Sequence, residues 1–140
     1  MKKLFLLLLL ATTYVYIYAQ DSITFKGKVY NDEYNIYIDM NLYNQDIIVP
    51  TQEIFGKLAG YIGSLQCTQV WPITNCKIID GRTATISLIN NYGSEDLVCT
   101  LKLNENNTYT LNKENGSVLK FPVKGKWQKI PNTISFKRKK

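Results

Sequence analysis

The chain of 140 residues contains three cysteines and no histidine, and these two facts limit the chemistry of its side chains. Without histidine the chain cannot form a Ser-His or Cys-His catalytic pair, a histidine-ligated zinc site or an imidazole general base. Cys67, Cys76 and Cys99 are too widely spaced for a Cys-x-x-Cys zinc signature. The thiol chemistry that remains is disulfide formation.

Two of the cysteines are expected to pair if the protein folds in an oxidising compartment. Cys67 and Cys76 are nine residues apart, up to about 30 Å in an extended chain, whereas a disulfide needs Cα atoms about 4.4–6.8 Å apart. They can pair only if the chain reverses between them, and Pro72 offers a place for that reversal. One alternative is a bond between Cys76 and Cys99, since both are in phase with the apolar sides of their predicted strands, and the others are a different pairing or no bond. We predict the Cys67–Cys76 bond, and either bond would be structural.

The acidic residues form no pattern typical of catalysis or metal binding. Hydrolysis of a sugar bond needs two facing carboxylates, and the candidates near regular predicted strands are Asp39, Glu95 and Asp96. Glu95 and Asp96 follow a predicted turn, where surface acids are common, and that turn lacks the alternating oxygen ligands of a calcium loop. The sequence therefore predicts a protein that is not an enzyme and that needs no metal or other cofactor.

Aromatic residues are the candidates for contact with a ligand or partner. Trp71 is predicted near a hairpin tip, where it either contacts a ligand or folds back to plug the end of the fold. Trp127 lies in a predicted strand near the end of the chain. Tyr37 and Tyr43, together with Tyr30, are expected on the polar side of the first two strands. There they form an exterior stripe for stacking or partner contact, or they reflect only the preference of tyrosine for strands.

The first 19 residues have the pattern of a cleaved export signal. Lys2 and Lys3 precede a mostly apolar run over residues 4–19, and Ala19 is a small residue suited to the position before cleavage. The alternative is an uncleaved membrane anchor, but this run of 16 residues is shorter than the about 20 that span a bilayer. We therefore predict that residues 1–19 are a signal peptide and that the protein is exported to the periplasm or beyond the cell.

Positive charge is concentrated towards the end of the chain. There are 17 Lys and Arg residues against 11 Asp and Glu, which gives a net charge of +6. Residues 20–112 contain six basic and ten acidic residues, whereas residues 113–140 contain nine basic residues and one acid, Glu114. This asymmetry predicts a basic end or face. The predicted basic patch consists of Lys120, Lys124, Lys126, Lys137, Arg138, Lys139 and Lys140.

Two interpretations of this basic patch remain open. Lysines and a frayed tail are a common way to keep the edge of a sheet from pairing with another sheet. Alternatively, the patch contacts an acidic partner, such as the phosphates of lipopolysaccharide, an acidic polysaccharide or an acidic protein. Nucleic acid is not an expected partner, because the chain has an export signal and no aromatic-rich RNA-binding signature.

The chain after the signal reads as a series of β-strands. From Tyr34 to Leu42 every even position is apolar, while Asn35, Asp39 and Asn41 lie between them, which is the two-residue period of a half-buried strand. Similar segments recur at the spacing typical of sandwiches and barrels, and they indicate about nine strands. Asp80-Gly81 predicts a tight hairpin whose two turn residues have positive φ. The short segment 52–58 is the one candidate for a helical turn.

These patterns predict an all-β fold with one domain over residues 20–140. A small antiparallel up-and-down barrel of roughly eight strands is the first expectation, and a two-sheet sandwich is the alternative, because a sheet of this many strands must close or split.

Four short segments resemble those of small exported β-rich proteins of the Bacteroidota. They are Ala19-Gln20 at the signal, Phe25-Lys26-Gly27, Gly60-Tyr61-Ile62-Gly63 and Gly125-Lys126-Trp127. The Gly-x-Trp motif is also similar to that of lipocalin- and avidin-like barrels, although there it lies in the first strand and here it is near the end of the chain. The resemblance implies a barrel fold.

The expected function is that of a monomeric, exported, non-enzymatic binding module that holds a small apolar or amphipathic ligand at the mouth of the barrel. The alternative is an inhibitor, immunity or interaction protein that contacts an acidic partner through its Lys-rich C-terminal end.

Overall fold

The structure, a computed structural model, describes residues 23–139, so the predicted signal peptide and Lys140 lie outside the described residues. The described chain contains one short 3-10 helix, Glu53–Phe55, and twelve β-strands. The strands are β1 (Lys26–Asn31), β2 (Ile36–Asn41), β3 (Ile47–Ile48), β4 (Lys57–Leu58), β5 (Gly60–Ser64), β6 (Val70–Asp80), β7 (Thr83–Ile89), β8 (Asp96–Leu103), β9 (Tyr109–Gly116), β10 (Lys120–Val123), β11 (Lys126–Lys129) and β12 (Thr133–Phe136).

Eight strands form one antiparallel sheet in the order β1-β2-β5-β6-β7-β8-β9-β12. The two outer strands of this order approach each other at an antiparallel bridge between Tyr30 and Lys137. The sheet is therefore nearly closed into a barrel, and its strands follow one another around the barrel in chain order. The prediction of an all-β, up-and-down barrel is confirmed, and the alternative of a sandwich is not.

Strand β2 shows how the sequence pattern becomes one wall of the barrel. Ile36, Ile38 and Met40 are at most 1% exposed, whereas Tyr37 and Asp39 between them are partly exposed on the outer face. Because side chains alternate across a strand, this register buries every apolar even position.

The interior of the barrel is filled by side chains. Apolar residues from all eight strands form one buried cluster, and its largest fully buried members include Phe25, Tyr109, Phe121 and Phe136. Phe121 belongs to the β10–β11 hairpin, which pairs only with itself and not with the eight-stranded sheet. This hairpin closes one end of the barrel, because Leu119, Phe121 and Ile130 are all at most 5% exposed in the cluster.

The β3–β4 hairpin lies against the outside of the barrel. It contributes Val49 to a second buried cluster with Tyr61 and Val70, and Tyr37 packs against that cluster. The 3-10 helix lies at the predicted helical turn within residues 52–58. The structure has twelve strands where the sequence predicts about nine. Two of the additional strands, β3 and β4, have only two residues each, which is too short for a period to be recognised.

The prediction that Asp80 and Gly81 are turn residues with positive φ is wrong. The β6–β7 turn is at the expected place, but its central residues are Gly81 and Arg82, and neither is among the described residues with positive φ. Asp80 instead accepts a hydrogen bond from the Arg82 backbone N at 2.8 Å. The turn with two positive φ values joins β10 to β11, where Lys124 has φ 52° and Gly125 has φ 78°.

Within residues 23–139 no helix is both long enough and apolar enough to cross a membrane.

Candidate functional sites

The two ends of the barrel present different surfaces. At one end an open cleft of about 750 Å³ lies between the start of the described chain, two turns and the C-terminal residues. We call it the tail-end cleft. Its lining consists of Ile23, Thr24, Gly81, Arg82, Leu103, residues 106–109 and residues 137–139.

Arg138 holds the wall of the tail-end cleft together. Its Nη2 donates hydrogen bonds to the carbonyl oxygens of Ile23 at 2.8 Å and Thr24 at 3.2 Å, and to Tyr109 Oη at 3.0 Å. The guanidinium also lies 5.6 Å from the centre of the Tyr109 ring. Tyr109 Oη in turn donates to Thr24 O at 2.5 Å. Burial raises the pKa of the Tyr109 hydroxyl, against the opposing effect of Arg138, so the hydroxyl remains protonated and can donate this bond.

The tail-end cleft is cationic. Arg82, Lys137, Arg138 and Lys139 line it, and none of its described lining residues is acidic. The Arg82 side chain donates to Leu103 O at 3.3 Å and to Asn104 O at 2.9 Å, which fixes the guanidinium over the turn between β8 and β9. Apolar surface from Leu103 and Ile23 lies in the same lining.

The opposite end of the barrel presents aromatic side chains. Trp127 on β11 is 53% exposed, and Tyr92 in the loop between β7 and β8 is 72% exposed. Between them a shallow depression is lined by Gln69, Asn90, Glu95 and Lys120, with Trp71 beneath. We call this surface the hairpin-end platform. The Lys120 Nζ lies 5.0 Å from the centre of the Trp127 ring and 3.4 Å from Glu95 Oε1.

Trp71 corrects the prediction of a contact residue at a hairpin tip. It lies in β6, and its side chain is 3% exposed within the core cluster. Its Nε1 donates a hydrogen bond to Lys120 O at 3.0 Å, which ties the barrel to the β10–β11 hairpin. The ring is therefore buried beneath the depression of the hairpin-end platform and not exposed at a hairpin tip.

The tyrosines form a stripe on the outer face, but with different members from those expected. Ring centres are 6.0 Å apart for Tyr30 and Tyr37, and 5.7 Å apart for Tyr37 and Tyr61. Tyr43 does not belong to this stripe. Its ring packs 6.4 Å from that of Phe25, and its hydroxyl accepts a hydrogen bond from the Phe25 backbone N at 3.1 Å.

The predicted Cys67–Cys76 disulfide is absent, and all three cysteines are free thiols. The chain does not reverse at Pro72, because Pro72 lies inside the extended strand β6 and pairs with Tyr61 on β5. The chain between Cys67 and Cys76 therefore does not bring their two thiols within bonding distance.

The alternative bond between Cys76 and Cys99 is also excluded. Cys76 on β6 and Cys99 on β8 both pair with Ile86 on the strand between them. Neighbouring strands lie about 4.8 Å apart, so two strand spacings separate the cysteines by about 10 Å, which exceeds the reach of a disulfide.

The predicted basic patch is divided between the two ends of the barrel. Lys120, Lys124 and Lys126 belong to the β10–β11 hairpin, whereas residues 137–139 follow β12 at the tail-end cleft. Strand β9 separates the two groups, since it begins at Tyr109 beside the cleft and ends at Gly116 before the hairpin. The basic end of the sequence is thus not one basic face of the protein.

The structure does not place Asp39 opposite either of the other two candidate acids, Glu95 and Asp96. Asp39 lies on β2 opposite Lys28, and Asp96 begins β8, so β5, β6 and β7 lie between them in the sheet. Glu95 is engaged with Lys120 at the hairpin-end platform. Among the described residues no group of three His, Cys, Asp or Glu side chains is arranged to hold a metal ion.

Arg82, Tyr92 and Tyr109 are site residues that the sequence reasoning did not select. Tyr92 lies in the turn that precedes Glu95 and Asp96, and a tyrosine next to Gly93 in a polar loop is a signal of an exposed ring. Arg82 and Tyr109 reach the tail-end cleft through the stagger of the closed sheet, which no local pattern reveals.

The fold and the two surfaces define a small antiparallel β-barrel with a cationic cleft at one end. No family model matches the sequence, and no curated protein and no solved structure matches the chain. The resemblance to exported Bacteroidota proteins and to lipocalin- and avidin-like barrels stays a prediction.

Proposed function

We propose that the protein is an exported, non-enzymatic binding module whose tail-end cleft holds a small amphipathic ligand with an anionic group. The observation that supports this most directly is the lining of the cleft, in which Arg82, Lys137, Arg138 and Lys139 lie together and no lining residue is acidic. The one described ion pair of these cations is between Lys139 Nζ and Asp32 Oδ1 at 3.4 Å, and Asp32 lies outside the lining.

The packing of the barrel supports a site at its mouth rather than in its interior. The core cluster fills the space between the strands with side chains such as Phe25, Phe121 and Phe136. The cleft, in contrast, has a volume of about 750 Å³, within the range of small-molecule sites. A ligand there would lie against apolar surface from Leu103 and Ile23 and direct its charge to the cationic rim.

A test of this proposal uses dodecyl phosphate below its micelle concentration as the probe, with dodecyl maltoside as a neutral amphiphile. We expect calorimetric titration to detect binding of the phosphate and much weaker binding of the maltoside. Each cation–anion contact is worth about 1 kcal/mol in water, so the double variant Lys137→Gln/Lys139→Gln should bind the phosphate at least about fivefold more weakly.

The matched control is Lys124→Gln/Lys126→Gln, which removes the same charge at the other end of the barrel. Equal weakening in both double variants would mean that only net charge matters and would overturn the cleft as the site. Equal binding of the two amphiphiles would overturn the anionic ligand.

A second candidate function is contact with an acidic protein through the same tail, because residues 137–139 are all exposed. This candidate predicts capture of a protein from a periplasmic extract that is lost at high salt and in the Lys137→Gln/Lys139→Gln variant. Binding of dodecyl phosphate without such capture favours the small ligand.

Export belongs to the same proposal. Mass spectrometry of the protein from its natural source should find a mature chain that begins at Gln20. An intact chain beginning at Met1 would contradict it.

A further inference from the structure

We infer that the hairpin-end platform is a second binding site, and that its ligand is a neutral carbohydrate that stacks on Trp127 and Tyr92. This site is independent of the tail-end cleft and lies at the other end of strand β9.

The exposure of the two rings is the first argument. Trp127 is 53% and Tyr92 is 72% exposed. Trp127 stays exposed although Phe121 on the same hairpin is fully buried in the barrel core. Large aromatic faces left in water beside a depression are typical of surfaces that bind a ligand with an apolar face.

The rings are held in place by an ordered framework. Asn90 closes the loop that presents Tyr92, because its Oδ1 accepts from the backbone N of Ser94 at 2.8 Å and of Glu95 at 3.2 Å. Its Nδ2 donates to Glu95 Oε2 at 3.3 Å. On the other side, the hydrogen bond from Trp71 Nε1 to Lys120 O anchors the hairpin of Trp127 to the barrel. A site that is already ordered loses less entropy on binding.

The charge of the platform points to a neutral ligand. The cation and the anion in the depression, Lys120 and Glu95, are paired with each other at 3.4 Å and are both partly buried. The Asn90 amide is engaged within its own loop, and Gln69 Nε2 donates to Tyr92 Oη at 3.4 Å. A depression with paired charges and two exposed aromatic faces offers stacking without an unpaired charge, which suits the apolar face of a neutral sugar ring better than an ion.

The two tryptophans allow a direct test by NMR. The wild-type protein has one indole N–H signal from buried Trp71 and one from exposed Trp127, and the Trp127→Phe variant assigns them. A panel of neutral oligosaccharides of glucose, mannose, xylose and N-acetylglucosamine, in both anomeric linkages, is titrated into the labelled protein. We expect a member of the panel to shift the Trp127 signal more than the Trp71 signal, with an affinity that does not change with salt concentration.

Variants then separate stacking from folding. Trp127→Ala should weaken binding at least about tenfold, since the variant loses both the stacking and the apolar area that the ring buries against the ligand. Trp127→Phe should retain most of the affinity because it keeps a ring, and Tyr92→Ala should weaken it to a smaller extent. Lys124→Gln, on the same hairpin but outside the depression, is the control and should bind as the wild type does.

Three results would overturn the inference. They are a panel in which no neutral oligosaccharide shifts the Trp127 signal, binding that survives Trp127→Ala in a folded protein, and binding that is confined to acidic glycans and is lost in salt. The dodecyl phosphate experiment reports on the other end of the barrel, so either site can fail without the other.

Discussion

Tyr30 and Lys137 exchange two backbone hydrogen bonds, from Tyr30 N to Lys137 O at 2.8 Å and from Lys137 N to Tyr30 O at 2.9 Å. This bridge joins the first and the last strand of the eight-stranded sheet. Arg138 continues the contact by donating to the carbonyl oxygens of Ile23 and Thr24. The C-terminal residues therefore have a structural role that their lysine-rich sequence does not suggest.

Removal of the C-terminal residues should destabilise the barrel. A chain that ends at Phe136 loses the two backbone bonds of Lys137, at about 1 kcal/mol each, and the charged bonds of Arg138, so we expect a loss of about 3 kcal/mol in the free energy of unfolding. Denaturant unfolding measures this loss. The Lys137→Gln/Lys139→Gln variant keeps the backbone bridge and should stay within about 0.5 kcal/mol of the wild type. An equally stable truncated chain would show that the bridge is dispensable.

Gly60 should not tolerate a side chain. Its φ is +148°, and a Cβ atom there would overlap the backbone carbonyl oxygen of Asp39 on the neighbouring strand. We expect Gly60→Ala to cost more than about 3 kcal/mol in the free energy of unfolding, since backbone cannot move aside as a flexible side chain can. Gly93 is the matched control, because it has a φ of +71° and open space around it. Gly93→Ala should cost only about 1 kcal/mol, and equal losses would contradict the overlap.

Asp39 should make stability depend on pH. Burial on the outer face of β2 raises the pKa of its carboxyl group, and the attraction of Lys28 offsets this only in part. A raised pKa in the folded state means that folding favours the protonated form, so stability falls as the pH rises through the folded-state pKa. We expect Asp39→Asn to have a higher Tm than the wild type at pH 7 and an equal one at a pH below the usual carboxyl range.

The control for this prediction is Asp46→Asn, because Asp46 is exposed in the loop after β2. Its Tm, measured over the same pH range, shows the effect of removing a surface carboxyl group. A lower Tm of Asp39→Asn at pH 7 would mean that the attraction to Lys28 outweighs burial.

Cys99 should resist alkylation in the native protein. Its side chain is 2% exposed, and burial, with a smaller effect of Glu114, raises the pKa of its thiol to about 12. The reactive thiolate is therefore scarce and inaccessible at pH 8. Mass spectrometry after treatment with iodoacetamide should find Cys99 unmodified in the native protein and modified after unfolding. The same peptide map tests the free state of Cys67 and Cys76, and a bond between them would contradict this structure.

Local pattern determined much of the fold. The two-residue alternation from Ile36 to Met40 places β2 in the sheet and assigns its inner face, because a slip by one residue would bury Asp39 and expose three apolar side chains. The same reasoning, repeated along the chain, predicts an antiparallel barrel from the sequence alone. The prediction of a chain reversal at Pro72, made from the preference of proline for turns, is wrong, because Pro72 lies inside β6 and pairs with Tyr61 on β5.

Only the tertiary structure decided which distant residues meet. The β3–β4 hairpin lies on the outer wall because Val49 packs there against Tyr61 on β5 and Val70 on β6. The path of the strands around the barrel places the lysines of one sequence segment at two different ends. It also places Arg82 and Arg138, which are distant in sequence, in the lining of one cleft. Alternation specifies which face of a strand is buried, but the stagger between strands, which sets these long-range contacts, arises from packing of the whole core.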